Sequence, residues 1–299
     1  MFVHLKHPTF INKHRLSPYE PPWPDAAYAS TIDVKVASHG DSPATLPDSL
    51  GLPLDDLDGV ADQPVDEARR AEVEALVAER IATRKPAAYL THEAWLQGLP
   101  FYVDERAIVP RSLIAEVLAD GTIDAWLSDQ TTRVLDLCTG NGSLAVLAAL
   151  AWPEVQVTGA DISPDALAVA RINVDRHGLQ QRIALVESDG LSALPGPFDL
   201  ILCNPPYVCQ ASMDVLPQEY RAEPELALAG GADGMDFVRT LLRDAPRVMN
   251  EGAVLVLEIG NERDFFEAAF PTLEVVWLDT SAGSEIGRAS CRERVSSPV

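Results

Sequence analysis

The sequence has no apolar run approaching the length of a membrane span, and its first residues, Met1 to His14, lack the hydrophobic stretch of a secretory leader. Membrane and export readings are therefore set aside, and a cytoplasmic protein is expected. Cysteine is scarce, and Cys138, Cys203, Cys209 and Cys291 show no paired metal-ligand spacing, so neither a metal site nor a disulfide framework is expected. Two of the four fall in or beside apolar runs, where small core residues belong. Basic residues are also few. Lys plus Arg number 23 against 45 Asp plus Glu, a formal net charge of -22. Such a balance repels a phosphate backbone and favours a basic partner, so direct nucleic-acid binding is not expected. A generally acidic proteome would give the same sign with no partner implied.

At 299 residues and 47% hydrophobic, the chain can bury a full core, and its length suits one large domain with a smaller companion. Residues 1–64 are rich in Pro, Asp, Ser and His without sustained periodicity and read as irregular or disordered. A helix is expected from Pro64 to Arg84, with Val73, Leu76, Val77 and Ile81 on one face. Ala94 to Gln97, a turn at Gly98-Leu99-Pro100 and Phe101 to Asp104 read as a hairpin, and Ser112 is placed to cap a helix through Leu118. From Arg133 the pattern alternates: strands at 133–137, 155–160, 182–187, 198–203, 253–259 and 273–278, and helices at 143–151, 164–177, 235–249 and 262–269. Alternation of this kind means a parallel, doubly wound α/β sheet, whose ligands bind outside the carboxyl ends of the strands.

The candidate chemistry falls at those ends. Asp136-Leu137-Cys138-Thr139-Gly140-Asn141-Gly142 is a strand end, a glycine-rich turn and a helix start, where a nucleotide-like ligand can approach the backbone closely. Gly140-x-Gly142-x-x-Ala145 with Asp161 also fits a dinucleotide fingerprint, which keeps an NAD-dependent enzyme open. Asp136, Asp161-Ile162-Ser163-Pro164 and Ser188-Asp189 supply hydrogen-bond acceptors without a phosphate cradle, the set that S-adenosylmethionine needs for its hydroxyls, adenine amine and ammonium. Singly, Ser163 reads as a helix cap and Asp189 as a turn residue; jointly the set reads as a cofactor site.

Asn204-Pro205-Pro206-Tyr207 follows the apolar run Phe198 to Cys203. A planar NH2 group is a poor nucleophile and must be held in line with a methyl donor. The Asn204 side-chain oxygen and the Pro205 carbonyl can accept its two N–H bonds, the prolines hold the backbone extended, and Tyr207 can pack on the planar group. A proline turn closing a strand would explain Pro-Pro alone, but not Asn before it and Tyr after it. An amide and a nucleobase amine both remain open at this point.

Pro86-Ala-Ala-Tyr-Leu90, Asn204-Pro-Pro-Tyr207 and Glu223-Pro-Glu225-Leu-Ala-Leu-Ala-Gly230-Gly231-Ala-Asp233-Gly234 resemble the protein glutamine N5-methyltransferases of the HemK type over roughly residues 65 to 283. Pro110-Arg111-Ser112-Leu-Ile-Ala-Glu116 and Trp277-Leu-Asp-Thr-Ser-Ala-Gly283 are similar to the branch that modifies large-subunit ribosomal protein L-three. The resemblance implies a Rossmann-like methyltransferase sheet, with a small N-terminal helical domain and a connecting β-hairpin. The division is a remnant of a helical substrate-docking domain at 65–92, a hairpin linker at 93–111 and a methyltransferase domain at 112–283. Residues 284–299, in which Glu285 to Val295 resembles translated adapter DNA, are read as a non-native tail and left out of the fold.

It further implies S-adenosyl-L-methionine as cofactor and a basic ribosomal protein as substrate. Cys138, Thr139, Gly140, Asn141 and Gly142 would line the methionine part, and Asp136 before them would also bind the cofactor. Asp161 would accept from the ribose hydroxyls, Asp189 would sit at the adenine beside Gly190, and Ile162 and Asn204 would also bind the cofactor. Asn204, Pro205 and Tyr207 would be catalytic and, with Pro206 and Arg111, would hold the glutamine. Gly190 stands where relatives carry a larger apolar side chain, which predicts a thinner adenine wall and weaker cofactor binding. A release-factor glutamine, an adenine amine and a cofactor-binding inactive remnant are the alternative readings.

Overall fold

The computed structural model describes residues 67–278 and residue 280. The irregular region expected at 1–64 and the tail at 284–299 lie outside them. The elements in chain order are α1 (Glu67–Thr83), α2 (Ala87–Thr91), β1 (Ala94–Leu96), β2 (Leu99–Phe101), α3 (Ile114–Ala119), β3 (Arg133–Leu137), α4 (Ser143–Ala151), β4 (Gln156–Asp161), α5 (Pro164–Arg176), β5 (Ile183–Glu187), β6 (Phe198–Cys203), α6 (Gln210–Met213), α7 (Asp236–Asp244), β7 (Met249–Leu257) and α8 (Arg263–Ala269).

Five strands form one sheet in the order β5-β4-β3-β6-β7, every pair parallel. Their residues alternate between two buried faces, as a sheet covered on both sides requires. Val134, Leu200, Leu202, Val254 and Val256 pack with α3 and α4, while Leu135, Leu137, Ile201, Leu255 and Leu257 pack with α7 and α8. The α4 sequence SLAVLAALA is apolar nearly all round, and Ser143 to Ala149 are all buried, so this helix lies wholly within the core. In α5, the Ser163 hydroxyl caps the helix by accepting from Ala166 N at 3.1 Å, and Pro164 opens the first turn.

Several boundaries differ from the expected ones. The hairpin turns at Gln97 and Gly98, with φ of 50° and 72°, so Leu99 and Pro100 belong to β2. Two positive φ values match the right-handed twist of the paired strands. The helix expected at 235–249 ends at Asp244, because Pro246 cannot continue it, and β7 begins at Met249 rather than 253. Residues 273–278 form no ladder; Val276 alone carries a bridge. A strand needs a neighbour, and among the described residues β7 pairs only with β6. Leu273, Val275 and Trp277 still pack on the core beside α7 and α8. Of the apolar face foreseen on α1, Val77 is 41% and Ile81 70% exposed.

A buried amide helps to tie the hairpin to the sheet domain. Asn173 on α5 accepts from Tyr102 N at 2.7 Å and donates to Tyr102 O at 2.9 Å and Asn141 O at 2.8 Å. Among the described residues no helix is long and apolar enough to cross a membrane.

Candidate active site

The strand order reverses at β3. Its neighbours are β4 on one side and β6 on the other, and in the β3–β6 register Leu137 stands opposite Cys203. The glycine-rich loop begins one residue after the first and Asn204 one residue after the second. The fold thus brings the two motifs side by side at the carboxyl edge of the sheet, where open α/β sheets bind ligands.

The loop 138–142 is held from beneath and open above. Cys138, Gly140 and Gly142 have φ of 61°, 55° and 80°. At Gly142 a Cβ would lie 3.0 Å from the Ala170 Cβ on α5, so glycine is needed there for close packing. At Gly140 a Cβ would meet nothing nearer than Cys138 O at 4.0 Å, which leaves that backbone open to a ligand. Asp136 is fully buried beneath the loop. Its Oδ2 accepts from Thr139 Oγ1 at 2.5 Å and Ala145 N at 2.9 Å, and burial pushes its carboxyl up to about 7. Asp136 therefore shapes the loop from within, and its Oδ1, like Asn141 Nδ2, has no hydrogen-bond partner among the described residues.

Asp161, at the end of β4, accepts from Gly140 N and Ser163 N, each at 2.9 Å. It fixes the loop, and burial raises its pKa. Ile162 is 45% exposed beside it. Across β5, Asp161 stands in register with Glu187, which places Ser188-Asp189-Gly190 on the same edge. Ser188 Oγ donates to Gly190 O at 2.8 Å, while Asp189 is exposed. Gly190 has φ 53°, and a Cβ there would have only Phe237 near it, at 3.9 Å. Space is available for a side chain; the backbone conformation disfavours one.

Asn204 and Tyr207 are half-buried and Pro205 is buried. Three glycines make room for Tyr207. A Cβ on Gly230 would sit 2.7 Å from the Tyr207 Cα, one on Gly234 2.2 Å from its carbonyl oxygen, and one on Gly260 2.5 Å from its ring. Burial pushes the phenol pKa up, and the neighbouring Glu258 charge adds to the shift. Val208 N donates to Leu228 O and Gly230 N to Val208 O, both at 2.9 Å, so the Gly230-Gly231 segment holds the exit of the motif.

Asn204, Pro205 and Tyr207 line a cavity of about 520 Å³ whose outer wall is the segment 208–220. Arg111 reaches it from the hinge, the segment between β2 and α3. Its Nη1 and Nη2 donate to Glu223 Oε1 and Oε2 at 2.6 Å each, and its guanidinium lies 5.1 Å from the Tyr220 ring centre. Glu223 also accepts from Val109 N at 3.3 Å, so the expected Glu223-Pro224-Glu225 motif binds the hinge. Sequence reasoning missed two further glutamates in this region, Glu258 and Glu262, 5% and 6% exposed.

A family model described as "Methyltransferase small domain" matches residues 118–219. Among curated proteins, the chain is 56% identical over 239 residues to "Ribosomal protein uL3 glutamine methyltransferase" of Bordetella pertussis, spanning 79% of this chain and 80% of that one. The chain belongs to the uL3 glutamine methyltransferase family. Relatives with the same description in Burkholderia pseudomallei and Neisseria meningitidis serogroup B are 52% and 46% identical, over 79% and 82% of this chain and 80% and 82% of theirs. The segments 138–142 and 204–207 both lie within the matched residues 118–219, and membership of a methyltransferase family sets aside the NAD-dependent reading.

Proposed function

We propose that this chain is an S-adenosylmethionine-dependent protein (glutamine-N5) methyltransferase whose substrate is a glutamine of the ribosomal protein uL3. The observation that carries the reading is the β3–β6 pairing, which sets the glycine-rich loop and Asn204 one residue beyond the paired Leu137 and Cys203. A cofactor seated on the first is then adjacent to an amide held by the second.

The residues present fit S-adenosylmethionine. The backbone at Gly140 is open, Asn141 Nδ2 lacks an acceptor, and Asp161 keeps lone pairs for hydroxyl donors after taking two backbone N–H bonds. Cys138 to Gly142, together with Asp136 beneath them, would hold the methionine part, Asp161 and Ile162 the ribose, and Asp189 and Gly190 the adenine. When bound, the cofactor supplies an electrophilic methyl group. Asn204 Oδ1 and the Pro205 carbonyl accept the two amide N–H bonds, which fixes the nitrogen's direction, and the Tyr207 ring covers the amide plane. Pro206 keeps the motif extended. Asn204 and Tyr207 are half-buried and Pro205 is buried, which limits water at the reacting atoms. The proton becomes strongly acidic only once nitrogen has gained the methyl, so a carbonyl oxygen or a water can take it without a dedicated base.

A substrate from the ribosome is basic, which complements the net charge of -22. The reading places the protein in the cytoplasm with uL3, with neither membrane nor nucleic acid as a direct partner. Incubation with methyl-labelled S-adenosylmethionine and a ribosomal extract from cells lacking this activity tests it. Label in the uL3 polypeptide is the expected result, and label in RNA or in a release factor overturns the assignment.

A further inference from the structure

The cavity beside Asn204 has one feature that holding an amide does not explain. Glu262 lines it at the start of α8 and is 6% exposed. Its Oε1 accepts from Cys209 N at a long 3.4 Å, and its Oε2 is shut off from water with no hydrogen-bond partner among the described residues. A carboxylate oxygen buried without a donor is costly, and burial raises the Glu262 pKa by more than the Cys209 N–H and thiol lower it.

Among the described residues, no cation in the cavity wall relieves it. Arg111 is held bidentately by Glu223, and Asp233 is paired with Arg239. The remaining wall is largely apolar, including Val208, Val215, Leu216 and Phe265. An apolar occupant would leave Glu262 unpaired, and an acidic one would be repelled. A lysine or arginine suits both parts, since its methylene stem packs on the apolar wall while its cationic head meets the carboxylate.

We propose that the Glu262 end of this cavity is a subsite for a lysine or arginine side chain lying near the target glutamine in the substrate polypeptide. The assignment rests on the glutamine-methyltransferase reading for what enters the cavity. The incoming cation supplies the donor that the carboxylate lacks. Glu262 is thus a specificity-determining residue that touches the substrate away from the reacting nitrogen.

The test compares two fluorescein-labelled peptides that differ only in the residues flanking one glutamine, lysine in one and norleucine in the other. Their affinities are read by anisotropy with S-adenosylhomocysteine present, so no turnover is needed. The wild-type protein is expected to bind the lysine peptide about tenfold more tightly, and Glu262→Gln to bind both alike. Equal binding by the wild type overturns the proposal, and that comparison does not depend on how any variant folds. A lysine preference kept by Glu262→Gln also overturns it, since overall negative charge would then be the cause. A parallel methylation assay on uL3 separates the two claims. Discrimination between the peptides without methyl transfer rejects the activity and leaves the subsite standing; transfer without discrimination does the reverse.

Discussion

The Tyr207 hydroxyl donates to Glu258 Oε1 at 3.4 Å, and Oε2 of the same carboxylate accepts from Ser112 Oγ at 2.5 Å and Leu113 N at 2.9 Å. One buried side chain at the end of β7 thus joins the hinge that carries Arg111 to the ring of the acceptor motif. Removing the carboxylate in Glu258→Ala leaves three donors without their acceptor, which should cost roughly 2–4 kcal/mol of stability. Tyr207→Phe removes only the long bond and should cost about 1 kcal/mol or less. Urea unfolding of the two variants checks the order, and a larger loss in Tyr207→Phe would show that Glu258 is not the centre of the contact.

The two halves of the site can be disturbed separately at glycine. Gly260→Ala puts a methyl 2.5 Å from the Tyr207 ring, at φ 49°. Methyl transfer is expected to fall at least tenfold through a rise in the protein-substrate KM or a drop in kcat, with S-adenosylmethionine affinity kept. Gly142→Ala puts its methyl 3.0 Å from Ala170 at φ 80° and should weaken cofactor binding itself. Calorimetric titration of the cofactor against both variants distinguishes them, and equal losses in the two would contradict the division.

Asp136 gives a pH signature. Burial raises its folded pKa to about 7, well above the ordinary carboxylate range. Between about pH 4 and 7 the unfolded chain has released this proton while the folded chain keeps it. Its contribution to stability therefore falls as pH rises through that window and is level above it. Asp136→Asn removes this slope while its side-chain oxygen can still accept from Thr139 and Ala145. The variant's stability relative to wild type should rise from pH 4 to pH 7, as read from denaturation midpoints. A constant difference would mean that Asp136 is ionised throughout.

The chain's alternation of apolar strands and helices, and the two motifs at strand ends, were legible because each is a local pattern. Strand 198–203 and helix 143–151 appear with the expected bounds. The cavity wall was not legible. Residues 208–229 fold as one short helix and two single 3-10 turns, which carry no periodicity to read. Asn173 and Glu258 were passed over because their partners lie 71 and 146 residues away, and the Glu223 motif was read without its partner Arg111, 112 residues away. For Glu258 a signal existed, a lone carboxylate at the close of the apolar run Val254 to Leu257. The expected last strand failed for the converse reason: 273–278 has strand-like composition, but pairing is decided by a neighbour and not by the segment itself.

Central to the proposed function is the holding of a uL3 glutamine amide by Asn204 for methylation. Its most direct test is peptide mapping by mass spectrometry of uL3 after incubation with S-adenosylmethionine and either wild-type protein or Asn204→Ala. One methyl group on a glutamine side chain is expected with the wild type, and at least a hundredfold less with Asn204→Ala although the cofactor still binds. A methyl group on another residue type, or an undiminished yield with Asn204→Ala, would contradict it.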